Sequence, residues 1–80
     1  MNITELVEYL VKSIVSKPDM VSVKQFDEED SSVIEVIVDE SDMGAVIGKN
    51  GKIAQSIRTI AKSAAYTNGL KKVNINFDTF

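Results

Sequence analysis

Eighty residues, 44% of them hydrophobic, make one domain's worth of chain, with room for a core but not for an enzymatic cleft beside a second domain. The absence of Cys and His removes disulfides, thiolate and imidazole metal sites, and the usual catalytic triads. A net charge of −3 argues against a nucleic-acid partner until its distribution is read: residues 1–42 carry −8 and residues 43–80 carry +5, so one half can offer phosphate a positive face.

The first predicted element is a helix over residues 3–16, with Ile3, Leu6, Val7, Leu10, Val11, Ile14 and Val15 at helical spacing. Asn2 with Glu5 three residues on has the form of a capping box, and Pro18 stops the helix. A strand from Met20 to Phe26 follows, with Val21 and Val23 alternating against Ser22 and Lys24. Asp27-Glu28-Glu29-Asp30-Ser31 reads as a solvated hairpin tip. Ser32 to Asp39 is then a strand, β-branched almost throughout and apolar enough to suggest a central position covered on both faces or nearly so.

Ser41 is placed to cap a short helical turn over residues 42–47, which Gly48 and Gly51 break. Helical spacing resumes at Ile53, Ala54, Ile57, Ile60, Ala61, Ala64 and Ala65 and runs to Thr67, where Asn68-Gly69 supplies a stop. The last strand, Lys71–Phe77, alternates Val73, Ile75 and Phe77 with polar residues. The order α-β-β-α-α-β predicts an α+β domain. Its sheet is three-stranded and mixed: an antiparallel first hairpin, then a parallel pair across the helical crossover, with helices on one face.

The chemistry concentrates in Val46-Ile47-Gly48-Lys49-Asn50-Gly51-Lys52-Ile53. Two helices meet across four residues with glycine at both ends. Glycine permits backbone angles closed to other residues and removes the Cβ atoms that hold a sugar-phosphate chain away. The helix that begins near Gly51 aims its unpaired N–H groups and positive dipole end at whatever sits on the loop. Lys49 and Lys52 add mobile charge. Taken alone, Gly-x-x-Gly is also what a tight helix-loop-helix turn looks like. The flanking aliphatic residues and the bracketing strands favour the phosphate reading.

With that context the chain resembles the KH family in its type II order, with an extra helix and strand before the core. The stretch Ser41 to Ala54, the single-domain length and the helix-first start further resemble the small bacterial KhpA family, over essentially residues 1–80. The resemblance implies a non-catalytic domain whose GxxG loop clamps about four nucleotides of single-stranded RNA. Gly48, Lys49, Asn50 and Gly51 would form the clamp, and Ile47 and Ile53 the mouth of an aliphatic groove. Lys52, Gln55, Ser56 and Arg58 would make polar contacts with phosphate or base edges. It also implies a cytoplasmic protein that self-associates or pairs with a larger KH-containing partner, linked to cell growth and shape. A role as a post-transcriptional regulator or RNA chaperone would suit such a chain, and a protein-interaction adaptor is the alternative. Ala54 stands where the wider family often has a large aliphatic residue, which bears on groove shape.

Other features fit bland readings as well. Arg58 and Lys62 lie one turn apart and suit either nucleic-acid contact or a solvated face. Lys71 and Lys72 read as solubilising. The wide apolar arc of the long helix suits packing of the first helix or a second copy equally. No cofactor is implied. The first residues lack the basic n-region of a secretion signal, and no apolar run approaches the ~20 residues needed to span a bilayer, so no membrane insertion is expected.

Overall fold

A computed structural model describes residues 2–67, 69 and 72–80. Helix α1 spans Ile3–Lys12. Asn2 caps it: its side chain accepts from the Glu5 N–H at 2.8 Å and donates to the Glu5 carboxylate at 2.8 Å, a reciprocal pair of the kind the spacing predicted. The helix ends earlier than its apolar spacing suggested. The Ser13 hydroxyl donates to the Tyr9 carbonyl at 2.7 Å, and Ile14 N–H reaches only back to Val11. Both bonds draw the backbone away from helical continuation. Val15, which extended the helical pattern, packs on the core from the connection instead.

Pro18–Met20 form a 3-10 turn, so strand β1 is Ser22–Asp27 rather than a strand from Met20. Strand β2 is Ser32–Val38. The two pair antiparallel, with Lys24 opposite Glu35 and Phe26 opposite Val33. A second 3-10 turn, Glu40–Asp42, leads into helix α2, Met43–Ile47. Asp39, not Ser41, caps this entry: its carboxylate accepts from the Ser41 N–H at 3.0 Å and from the Ser41 hydroxyl. Helix α3 is Lys52–Thr67 and strand β3 is Val73–Thr79. Asn68 and Lys71, assigned from the sequence to the helix stop and to the start of the last strand, lie outside the described residues. Gly69 has φ +81° and donates its N–H to the Tyr66 carbonyl at 3.1 Å, as a helix-terminating glycine does.

The sheet order is β1-β2-β3, with β2 and β3 parallel and Ile34 opposite Ile75. This is the α+β arrangement that the element order predicted, and it is the type II KH order that the resemblance implied. All helices lie on one face. Ile34, Val36 and Val38 of β2 and Val73 and Ile75 of β3 pack there against Ile3, Val7 and Val11 of α1, Val46 of α2, and Ile57, Ala61 and Ala65 of α3. Each fully buried Val or Ile contributes about 1.5–3 kcal/mol. The small side chains of α3 let its backbone approach the sheet closely.

β2 is the central strand, as expected, but its second face is only partly covered, short of the coverage on both faces or nearly so that its apolar run suggested. Its residues alternate strictly, Ser32, Ile34, Val36 and Val38 buried and Val33, Glu35 and Ile37 half-buried. The β-branched run reflects strand propensity on the open face, where neighbouring side chains give partial cover. Among the described residues no helix is long and apolar enough to cross a membrane.

Candidate nucleic-acid interface

The loop between α2 and α3 is a single 3-10 turn, Lys49–Gly51, and three of its four GxxG residues have positive φ. Gly48 ends α2 at φ +75°, ψ 175°, a region essentially confined to glycine. A Cβ there would lie 2.3 Å from Ile53 Cγ1 and 3.0 Å from Ile53 N. The first glycine is therefore required twice, by backbone angle and by the approach of α3. Gly51, at φ +73°, has nothing within 4 Å of such a Cβ, and its requirement is conformational alone. Asn50 is left-handed as well, at φ 57°, ψ 26°. Asparagine tolerates that region better than most residues.

Bonds within the turn fix its shape. Gly48 N–H donates to the Gly44 carbonyl at 2.9 Å and Gly51 N–H to the Gly48 carbonyl at 3.2 Å. Lys49 and Asn50 open the 3-10 turn, so their N–H groups have no acceptor within it. Beyond them starts the sixteen-residue α3, whose dipole places partial positive charge on the turn. Lys49 and Lys52 are exposed. Among the described residues the ion pairs are Lys12–Glu8 and Lys17–Asp39, so neither loop lysine is neutralised by a carboxylate. The turn can hold an anion.

The remaining residues singled out from the sequence distribute around α3. Ala54, Ile57, Ala61 and Ala65 form its buried stripe. At roughly 100° per residue, Arg58 flanks that stripe on one side and Ile53 and Ile60 on the other. Lys52, Gln55 and Ser56 lie on the outer ridge and are exposed. The Ser56 hydroxyl donates to the Lys52 carbonyl at 2.9 Å. Ile47 is half-buried and Ile53 39% exposed, side by side with the turn.

Arg58 differs from the others because the sheet holds it. Its guanidinium carbon sits 5.2 Å from the centroid of the Phe77 ring, and its Nε donates to the Ile75 carbonyl at 3.3 Å. The cation–π contact and the hydrogen bond together hold the group against the edge strand β3. The sequence left Arg58 between a functional and a solvated role; Phe77, nineteen positions later, was the partner that spacing could not supply. Ala54 is buried at 2% exposure, within the inward stripe of α3. Among the described residues no group of three or more metal-ligating side chains is present.

Fold and loop together define a type II KH domain. The profile of the KhpA/KhpB KH domain matches residues 4–77, and the chain belongs to that family. It is 48% identical over 69 residues to the RNA-binding protein KhpA of Clostridium perfringens, covering 86% of this chain and 92% of that one. To the KhpA of Borreliella burgdorferi it is 44% identical over 64 residues, covering 80% and 78% of the two chains. Among solved structures it superimposes on Era in complex with MgGDPNP and nucleotides 1506–1542 of 16S ribosomal RNA. The TM-score there is 0.70 at 21% identity, over 98% of this chain and 30% of Era. At that identity the likeness concerns the fold, and this chain corresponds to less than a third of Era.

Proposed function

We propose that this protein is a non-catalytic RNA-binding protein that grips about four nucleotides of single-stranded RNA through Gly48-Lys49-Asn50-Gly51. The observation that carries the reading is the left-handed turn itself. It presents the N–H groups of Lys49 and Asn50, two unpaired lysines and the N-terminus of α3, within a chain whose relatives are named RNA-binding proteins. Phosphates sit on the turn. Bases run along the flank of α3 toward β3, where Arg58, steadied on Phe77, offers its remaining N–H groups to a base edge. Lys52 and Gln55 meet the backbone near the turn, Ile47 and Ile53 line its mouth, and Ser56 lies on the far side of the ridge. Aliphatic contact without an aromatic platform gives modest affinity and broad base tolerance.

Exchanging Lys49 and Asn50 for Asp tests this directly. Binding of a labelled single-stranded RNA should be lost while far-UV circular dichroism is unchanged; retained binding refutes the reading. In the wild type, log K should fall with log[salt] at a slope near −2 if about three phosphates are neutralised.

A second reading, self-association or pairing with a larger KH-containing protein, is favoured by Ile53 and Ile60. They are 39% and 44% exposed and lie two turns apart on the same flank of α3. An apolar flank of that kind is surface that a partner can cover. Light scattering that returns only the 8.8 kDa monomer at high concentration would rule out the homodimer. A cytoplasmic RNA chaperone or post-transcriptional regulator fits both readings.

A further inference from the structure

Helix α2 is only five residues long. A single helical turn does not repay its own nucleation cost, so the angle at which it delivers Gly48 must be fixed from outside. Its attachments are few. Val46 is fully buried and Met43 packs on the core, while Gly44 and Ala45 face solvent. The residue immediately before the helix, Asp42, is 3% exposed.

Aspartate in that position ordinarily caps the helix it precedes. Here the carboxylate makes no such bond. It turns to the connection between α1 and β1, where Oδ1 accepts from the Ser16 N–H at 2.9 Å and from the Ser16 hydroxyl at 2.6 Å. Oδ2 accepts from the Lys17 N–H at 3.0 Å. Lys17 Nζ in turn reaches Asp39 at 3.4 Å, and the Asp42 N–H donates to the Asp39 carbonyl at 2.9 Å. The entry to α2 is thus tied to an exposed connection rather than to the core. Removing the tie leaves the packing of Ile34, Val36 and Val38 in place and frees the helix that carries the turn.

We infer that Asp42 is the positioning residue of the GxxG turn, and that through it residues 16 and 17 are coupled to the grip on RNA; the coupling rests on the RNA-binding reading above. The carboxylate sets where α2 begins, Val46 sets its roll, and the two together place Gly48 against Ile53. No group in this tie touches the phosphate site, so its influence is on geometry alone.

The test uses the full chain with Asp42→Asn, Ser16→Ala and Ser16→Thr. Asn retains one acceptor oxygen and sets an NH2 group against donors, so at least one of the three bonds is lost. Two measurements are made: hydrogen exchange of the bonded amides Gly48, Gly51 and Lys52 against those of Ile34–Val38, and affinity for a fluorescein-labelled ten-nucleotide single-stranded RNA of mixed sequence. Asp42→Asn should speed exchange in the turn about tenfold with β2 unchanged, and weaken RNA binding about five- to tenfold. Ser16→Ala should give a smaller effect of the same kind, and Ser16→Thr should restore it. Exchange that rises equally in the turn and in β2 would reduce Asp42 to a contributor to global stability and overturn the proposal, as would a turn left unchanged. A wild-type chain that binds no RNA overturns the RNA reading and the coupling built on it, while exchange at the turn still decides whether Asp42 positions it.

Discussion

Replacing Gly48 with Ala should damage the protein far more than replacing Gly51, although the two glycines look equivalent in the motif. At φ +75°, ψ 175° a side chain at 48 costs about 1–3 kcal/mol in backbone strain. The new Cβ would also lie 2.3 Å from Ile53 Cγ1, 2.8 Å from Ile53 Cβ and 3.0 Å from Ile53 N. The first of these atoms can rotate away. The other two belong to the first turn of α3 and move only with the helix, which adds about 1–3 kcal/mol of overpacking. The total, about 2–6 kcal/mol, is a large share of the ~5–15 kcal/mol that holds a small domain folded. At Gly51, with open space around the Cβ, only the left-handed angle is penalised, by about 1–2 kcal/mol. In a domain of this size each kcal/mol moves the melting temperature by roughly 4–8 °C. The central values differ by about 2.5 kcal/mol, so calorimetry should place Gly48→Ala roughly 10–20 °C below Gly51→Ala. Combining Gly48→Ala with Ile53→Ala should recover little of the loss, because the contacts with Cβ and the backbone N of residue 53 persist. Equal melting temperatures for the two single variants would refute the account.

The left-handed Asn50 makes Asn50→Ala cost about 1 kcal/mol in thermal unfolding and leaves Asn50→Gly near neutral, since glycine enters that region freely. Ile34→Val, at a fully buried position, should cost about 0.5–1.5 kcal/mol in urea titrations, whereas Ile60→Val at 44% exposure should fall within about 0.5 kcal/mol of the parent. Three carboxylates are held below their ordinary value of 3.8. The chief causes are the Ser32 hydroxyl for Asp27, the Ser41 hydroxyl for Asp39 and the Ser16 hydroxyl for Asp42. A depressed folded-state value means that their stabilisation is complete above 3.8 and is lost as the pH falls below it. The urea midpoint should accordingly decline below about pH 3.8, and more gently in Ser16→Ala; an unchanged midpoint there would contradict the bonding described.

Local signals in the chain were sufficient for most of the architecture. The period of α3, the alternation of β3, the Asn2–Glu5 pair and the two glycines all act within a few residues of one another, and each element formed where its pattern lies. The discrepancies arise where distant residues compete for the backbone. Helical spacing through Val15 is real, yet Asp42 takes the N–H groups of Ser16 and Lys17, twenty-five residues and more away. Ser41 looked like the cap of α2 because a hydroxyl before an apolar run usually is, but the nearer carboxylate of Asp39 captures both its hydroxyl and its N–H. The site divides in the same way. Gly48, Lys49, Asn50 and Gly51 are contiguous and could be read directly. The role of Arg58 depends on Phe77 and Ile75 across the sheet edge, and the bonds of Asp42 on Ser16 and Lys17 in the connection after α1, neither of which leaves a trace in spacing.

The parallel pairing of β2 with β3 has a consequence for how the protein is made. Gly48, Lys49, Asn50, Gly51 and Arg58 all lie inside residues 39–72, the crossover which that pairing closes. A parallel pair separated by so long a crossover forms late, since the chain must give up the entropy of closing the loop before any ladder bond rewards it. On a growing chain, α1, β1 and β2 can collapse before β3 is available to complete the sheet. Arg58 has no Phe77 to lie on until β3 has docked. On the function proposed above, the clamp is complete only with β3 docked, and a partly synthesised copy has its residues without Arg58 held on Phe77.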